Sequence, residues 1–107
     1  MGITKTEIYT LQQNELASLF KVLSNPARIA ILQYISKQNA CICNDIVDEI
    51  GLAQPTISLH LKELKSLNLI KGDIEGKSVC YCINKERWDE IQFIINNFFK
   101  ETSFNCC

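Results

Sequence analysis

The sequence has little of what several function classes require. Its four glycines include no run that could cradle a phosphate ahead of a helix, which excludes a nucleotide-binding turn. Only two prolines interrupt the chain, leaving room for uninterrupted helices. No stretch approaches the roughly 18 apolar residues of a membrane span. Lys5, Glu7, Asn14 and Glu15 break the first twenty residues, which excludes a signal peptide there. Neither sign of charge dominates: the formal net charge is -1 at pH 7. That argues mildly against a nucleic-acid partner, whose ligands are usually basic, and makes the local distribution of charge the informative quantity. From Gln54 to Arg87 the chain carries six bases, Lys62, Lys65, Lys71, Lys77, Lys85 and Arg87, against four acids, Glu63, Asp73, Glu75 and Glu86.

What is present describes a single soluble domain over residues 1–107. The composition is 47% hydrophobic and 21% charged, enough apolar material to offset the entropy of ordering. A chain this short buries about two-thirds of its unfolded surface, so association would help it. With no targeting or membrane segment it is expected in the cytoplasm, with its six cysteines reduced. Paired cysteines in that compartment read as ligands for soft ions or as redox groups before they read as structural bridges. No cofactor is required by anything in the sequence.

Periodicity places mainly α structure with a small β-hairpin. Ile8, Leu11, Leu16, Leu19, Phe20 and Leu23 predict a first helix from about Thr6 to Leu23. Asn25-Pro26 caps and opens a second, whose Ile29, Ile31, Leu32 and Ile35 make it central. A short helix follows from about Asn44 to Ile50, with Asn44 or Asp45 as its cap and Gly51 ending it. Gln54-Pro55 opens a fourth, running to about Leu67. The short helix, the turn Gly51-Leu52-Ala53 and the fourth helix have the proportions of a helix-turn-helix. Leu69–Ile74 and Ser78–Ile83 predict two strands about Glu75-Gly76, a two-stranded wing. A fifth helix beyond Asn84 carries Trp88, Ile91, Ile94, Ile95, Phe98 and Phe99. The first and last helices hold more apolar surface than a small core can use, so they are expected to form a homodimer interface, with 101–107 as a mobile tail.

At 100° per residue, Ile57, Leu61, Leu64 and Asn68 share one face of the fourth helix, with His60 and Leu67 beside it. Pro55, Leu59, Lys62 and Ser66 point the other way, with Thr56, Ser58 and Glu63 beside them and Lys65 near the edge. That outward face is small, polar and basic, the residue mix that meets phosphates and base edges in double-stranded DNA. The DNA-contacting set is therefore Gln54, Thr56, Ser58, Leu59, Lys62 and Lys65, with Lys77 at the wing tip reaching a phosphate. An outward Leu59 suits a thymine methyl, though a lone exposed leucine is equally ordinary. The sole histidine, His60, reads as a packing residue rather than a ligand.

These residues resemble the ArsR/SmtB (arsenic-repressor) transcriptional regulators over roughly Glu15 to Trp88. The match rests on Leu-Ser-Asn-Pro-Ala-Arg (23–28), Cys-Ile-Cys-Asn-Asp-Ile (41–46), Gln-Pro-Thr-Ile-Ser-Leu-His-Leu (54–61) and Gly-Lys-Ser-Val-Cys-Tyr (76–81). The resemblance implies a winged helix-turn-helix, a homodimer, and a repressor that leaves operator DNA when an inducer binds. It implies no enzyme and no catalytic residues. Two departures stand out: Asp73 and Ile74 occupy wing positions often basic in the family, and no histidine lies between Asn84 and Cys107, so the family's zinc site on the last helix is not expected.

Cys41 and Cys43 match the family's Cys-x-Cys inducer site, similar to that of arsenite and antimonite sensors. Thiolates select soft, thiophilic ions. Arsenite prefers three thiolates. The position of a third cysteine in some relatives is Ile46 here, so a third sulfur must come from elsewhere. Cys106 and Cys107 could supply it, or be incidental. Cys80 and Cys82 alternate on the second wing strand, with Tyr81, Val79 and Ile83 inward and both sulfurs outward, and are expected to be non-ligands. Residues i and i+2 diverge on a helix and align on an extended segment, so an inducer would favour an unwound start to the short helix. Alternatives are methylarsenite, cadmium or lead as inducer, or a persulfide or oxidant acting on a cysteine pair. A thiol enzyme is a poor fit, because Cys-x-x-Cys in a βαβ setting is absent.

Overall fold

The computed structural model describes residues 8–38, 42–43, 46–73 and 80–102. In chain order these form α1 (Leu11–Leu23), α2 (Pro26–Ser36), β1 (Ile42–Cys43), α3 (Ile46–Ile50), α4 (Gln54–Ser66), β2 (Ile70–Asp73), β3 (Cys80–Ile83) and α5 (Lys85–Glu101). Five helices and a wing were expected; the additional element is β1. It pairs antiparallel with β3, making a three-stranded sheet in the order β1-β3-β2.

Local chemistry sets the helix ends. Thr10 and Gln13 form a reciprocal capping box, each accepting from the other's backbone N–H at 3.0 Å. That fixes the start of α1 at Leu11, five residues later than the apolar spacing suggests, because a side-chain cap outweighs one more apolar turn. Asn25 caps α2 through Ala27 N–H, with Pro26 in the first turn. Gly51 adopts φ +83 and its N–H reaches the Val47 carbonyl, ending α3 as expected. Asn68, expected on the buried face of α4, instead lies beyond the helix at φ +62 and is exposed. Its N–H and that of Leu69 cap the Lys65 and Leu64 carbonyls, and the chain turns into β2. At the other end, α5 runs through Glu101 with Thr102 as its cap, so the first two residues of the expected tail 101–107 belong to the helix end. Residues 103–107 lie outside the described residues.

The core joins all layers. Leu19 of α1, Ile31 and Ile35 of α2, Ile46 of α3, Ile57, Leu61 and Leu64 of α4, Leu69, Ile70, Tyr81 of β3 and Ile91 of α5 are buried together. Burying a side chain of this size contributes about 1.5–3 kcal/mol. Two arginines stitch the periphery. Arg87 Nε donates to the Leu67 carbonyl at 3.1 Å, and its terminal nitrogens reach Glu15 on α1 and Glu90 on α5. Arg28 Nε donates to His60 Nδ1 at 3.1 Å, and its Nη1 to the Val22 carbonyl. His60 is thus the packing histidine its position suggested, held as an acceptor against α2.

Candidate nucleic-acid interface

The buried side of α4 fixes what its other side offers. Ile57, His60, Leu61 and Leu64 lock the helix onto the core. Gln54, Thr56, Leu59, Lys62 and Lys65 are exposed as a result, and Ser58 is half-buried. Leu59 shows 57% of its surface. Every α4 residue expected to contact DNA therefore lies on the accessible side of one rigid helix. Three are partly engaged: Gln54 Nε2 donates to Ser58 Oγ at 3.1 Å, pre-ordering the first turn. Lys65 Nζ donates to the Gly72 carbonyl at 2.6 Å, tying α4 to β2 and so setting the angle between helix and wing. Lys62 on α4 and Lys71 on β2 are exposed.

Sequence counting placed Arg87 among the bases near this face. The structure spends it elsewhere: its side chain is 18% exposed and bound to Glu15, Glu90 and a carbonyl. Arg28 is also turned inward. These are the chain's two arginines, so its positive charge toward DNA comes from lysines. Charge counting could not find this, because the distinction depends on which carbonyls and carboxylates the fold brings near each guanidinium. Lys77 lies outside the described residues.

Of the cysteines, Cys41, Cys106 and Cys107 lie outside the described residues. Cys43 ends β1, on extended backbone three residues before α3. In the register, Cys43 faces Cys80 and Ile42 faces Tyr81. Tyr81 is buried, so Cys80 and Cys82 lie on the opposite side of β3, as alternation required. Cys80 is disulfide-bonded, which departs from the expectation of six thiols, whereas Cys82 carries a thiol. Among the described residues no group of three or more His, Cys, Asp or Glu gathers to hold an ion.

Comparison with known proteins gives this geometry a family. Residues 25–71 match the model for bacterial regulatory proteins of the arsR family, a span that holds Cys-Ile-Cys, α3 and α4. The chain is 35% identical over 81 residues to the arsenical resistance operon repressor of Staphylococcus xylosus, covering 76% of this chain and 77% of the relative. Among solved structures, an ArsR-like transcriptional regulator from Rhodococcus superposes with a TM-score of 0.68 at 20% identity over 86% of both chains. A homodimeric winged helix-turn-helix DNA-binding domain from Mycobacterium bovis gives 0.64 at 19% identity, over 100% of this chain and 97% of its own. These structural likenesses establish the winged helix-turn-helix fold. With the sequence match they show that this chain belongs to the ArsR/SmtB family of DNA-binding transcriptional repressors.

Proposed function

We propose that the chain binds operator DNA as a homodimer through the exposed side of α4, and leaves it when a thiophilic metalloid binds Cys41 and Cys43. Arsenite or antimonite is the expected inducer, with methylarsenite of the same class. The observation that carries this reading is the placement of Cys43. It ends β1 and is followed after two residues by α3, which packs against α4. An ion pulling on the Cys-x-Cys segment acts on a five-residue helix, the smallest of the molecule's described helices, and through it on the helix that meets DNA.

Ile42–Cys43 is extended, the conformation in which residues two apart share a side. A soft ion that binds two thiolates favours that conformation over a helical one. Release from DNA then follows from differential affinity for two arrangements of β1–α3, without a new fold. Outward from this site, Gln54, Thr56, Ser58 and Leu59 meet base edges, and Lys62, Lys65 and Lys77 meet phosphates. The relative from Staphylococcus xylosus, an arsenical resistance operon repressor, supports the same class of inducer. The homodimer draws support from the exposed Leu11, Phe20, Phe93 and Phe99 on α1 and α5. No helix among the described residues could cross a membrane, and a protein partnered with DNA works in the cytoplasm.

The test is a titration of the dimer–operator complex, followed by fluorescence anisotropy, with arsenite, antimonite, cadmium, lead and a persulfide donor. Arsenite should release the wild type at stoichiometric concentration and leave a Cys41→Ser/Cys43→Ser variant bound. Equal release from both would end the metalloid reading. The disulfide at Cys80 favours one second reading, a repressor switched by thiol oxidation. In that case release would consume titratable thiols; arsenite binding oxidises none.

A further inference from the structure

We infer that Cys80 is a ligand of the inducer site, supplying the third thiolate beside Cys41 and Cys43. This rests on the metalloid reading above and adds to it the residue that completes the ion's coordination. Trivalent arsenic as arsenous acid condenses with three thiols, forming three As–S bonds and releasing three waters, with arsenic unchanged in oxidation state. Two cysteines leave one hydroxide on the ion. The chain has no cysteine at Ile46 to finish the set locally, so the third sulfur must arrive through the fold.

The sheet brings one. β1 pairs with β3 so that Cys43 and Cys80 are direct cross-strand partners, although 37 residues separate them in sequence. Directly opposed residues in an antiparallel pair have Cβ atoms about 4.5–5.5 Å apart. One soft ion with bonds of about 2.3 Å to each sulfur bridges that gap, going by zinc–thiolate lengths. Cys80 is also disulfide-bonded, which requires another cysteine sulfur within covalent range of its own. Register and disulfide are separate observations, and both place Cys80 among cysteines. Cys82 differs from it: it is paired in register with Lys71 on β2, and it carries a thiol where Cys80 is disulfide-bonded. β3 is the middle strand, with Asp73 opposite Cys80 on its other side. An ion held between β1 and β3 therefore anchors the Cys-x-Cys segment to the base of the wing as well as to α3. It moves both DNA-facing parts together. The ion requires the reduced protein, so the disulfide and the metalloid compete for Cys80.

The experiment uses the whole chain, reduced and kept under nitrogen. Its cysteines are alkylated with N-ethylmaleimide with and without one equivalent of arsenite, then mapped by mass spectrometry. Arsenite should protect Cys41, Cys43 and Cys80 together and leave Cys82 labelled as before. Arsenic X-ray absorption should count three sulfur neighbours in the wild type, and two sulfurs with one oxygen in Cys80→Ser. Arsenite affinity in that variant should fall by about 10-fold or more, a loss that outer-shell changes alone can reach. Protection of Cys41 and Cys43 with Cys80 labelled equally in both samples would overturn the assignment while sparing the metalloid reading. Protection of Cys106 or Cys107 in place of Cys80 would overturn it too. If arsenite protects none of the cysteines, the metalloid reading itself has failed. The labelling arm needs no variant, so it holds even where Cys80→Ser does not fold.

Discussion

At the scale of single residues, the economy of arginine shapes what this repressor can read. A guanidinium is the usual bidentate partner of guanine in the major groove. Here both arginines are turned inward, Arg28 to His60 and Arg87 to Glu15 and the Leu67 carbonyl. On the proposed reading, base recognition therefore falls to Gln54, Thr56, Ser58 and Leu59, which suit adenine edges and thymine methyls, while Lys62 meets phosphate. Leu59→Ala should weaken operator binding and relax the preference for thymine at one position in each half-site, as measured against a set of singly substituted duplexes. Lys62→Ala should instead weaken binding to all sequences alike and flatten the salt dependence by about 0.9 in log–log slope per lost phosphate contact. Arg87→Ala should leave DNA specificity unchanged and destabilise the fold by about 1 kcal/mol, because a half-buried carbonyl and a partly exposed carboxylate lose their donor; urea unfolding measures it. The helical period alone made the outward set on α4 legible, since 100° per residue decides which side is buried. The fates of Arg28, Arg87 and Lys65 were not legible. Each depends on a carbonyl or ring supplied by a distant element.

At the scale of elements, strong local signals were read correctly and the weakest one mattered most. The caps at Asn25 and Gly51, and the Gln54-Pro55 start of α4, use chemistry contained within a few residues. β1 has only two residues and exists because β3 offers it an edge. No periodicity can be read from two residues, so the sheet that joins the Cys-x-Cys segment to the wing was invisible. Its geometry leans on one glycine. Gly72 sits at φ +132, where a side chain is strained, and a Cβ there would overlap the Cys80 carbonyl oxygen and lie 2.7 Å from the Tyr81 Cα. The same residue's carbonyl accepts from Lys65. Gly72→Ala should therefore push β2 from β3 and loosen the tie to α4. A cost above about 1 kcal/mol is expected, or a fall in Tm of roughly 4 °C or more for a chain of this size. Retained stability with unchanged operator affinity would show that the wing does not depend on this close approach.

At the scale of the whole molecule, one protomer presents one α4 helix, and an operator with two half-sites needs two. α1 and α5 are joined within the protomer by the Phe20–Phe98 edge contact at 6.1 Å and by Arg87–Glu15. They nevertheless leave Leu11 at 89%, Phe93 at 67% and Phe99 at 60% exposure. Three large apolar side chains this open on two adjoining helices fit a self-complementary interface better than they fit water. Their surplus was legible from composition; the pairing of the two helices was not, since it depends on tertiary contacts. Two-fold pairing would set the α4 helices about one DNA turn, roughly 34 Å, apart. A Leu11→Glu/Phe93→Glu variant tests this, because charge in an apolar interface is costly while both sites are open to water in the protomer. Sedimentation should show a monomer where the wild type is a dimer, and Tm should lose its dependence on protein concentration. Affinity for an isolated half-site should change little. Affinity for the full operator should fall by at least about 100-fold, the advantage that linking two sites confers. A variant that remains dimeric and keeps full operator affinity would move the interface off these helices, and with it the spacing at which the two copies of α4 meet DNA.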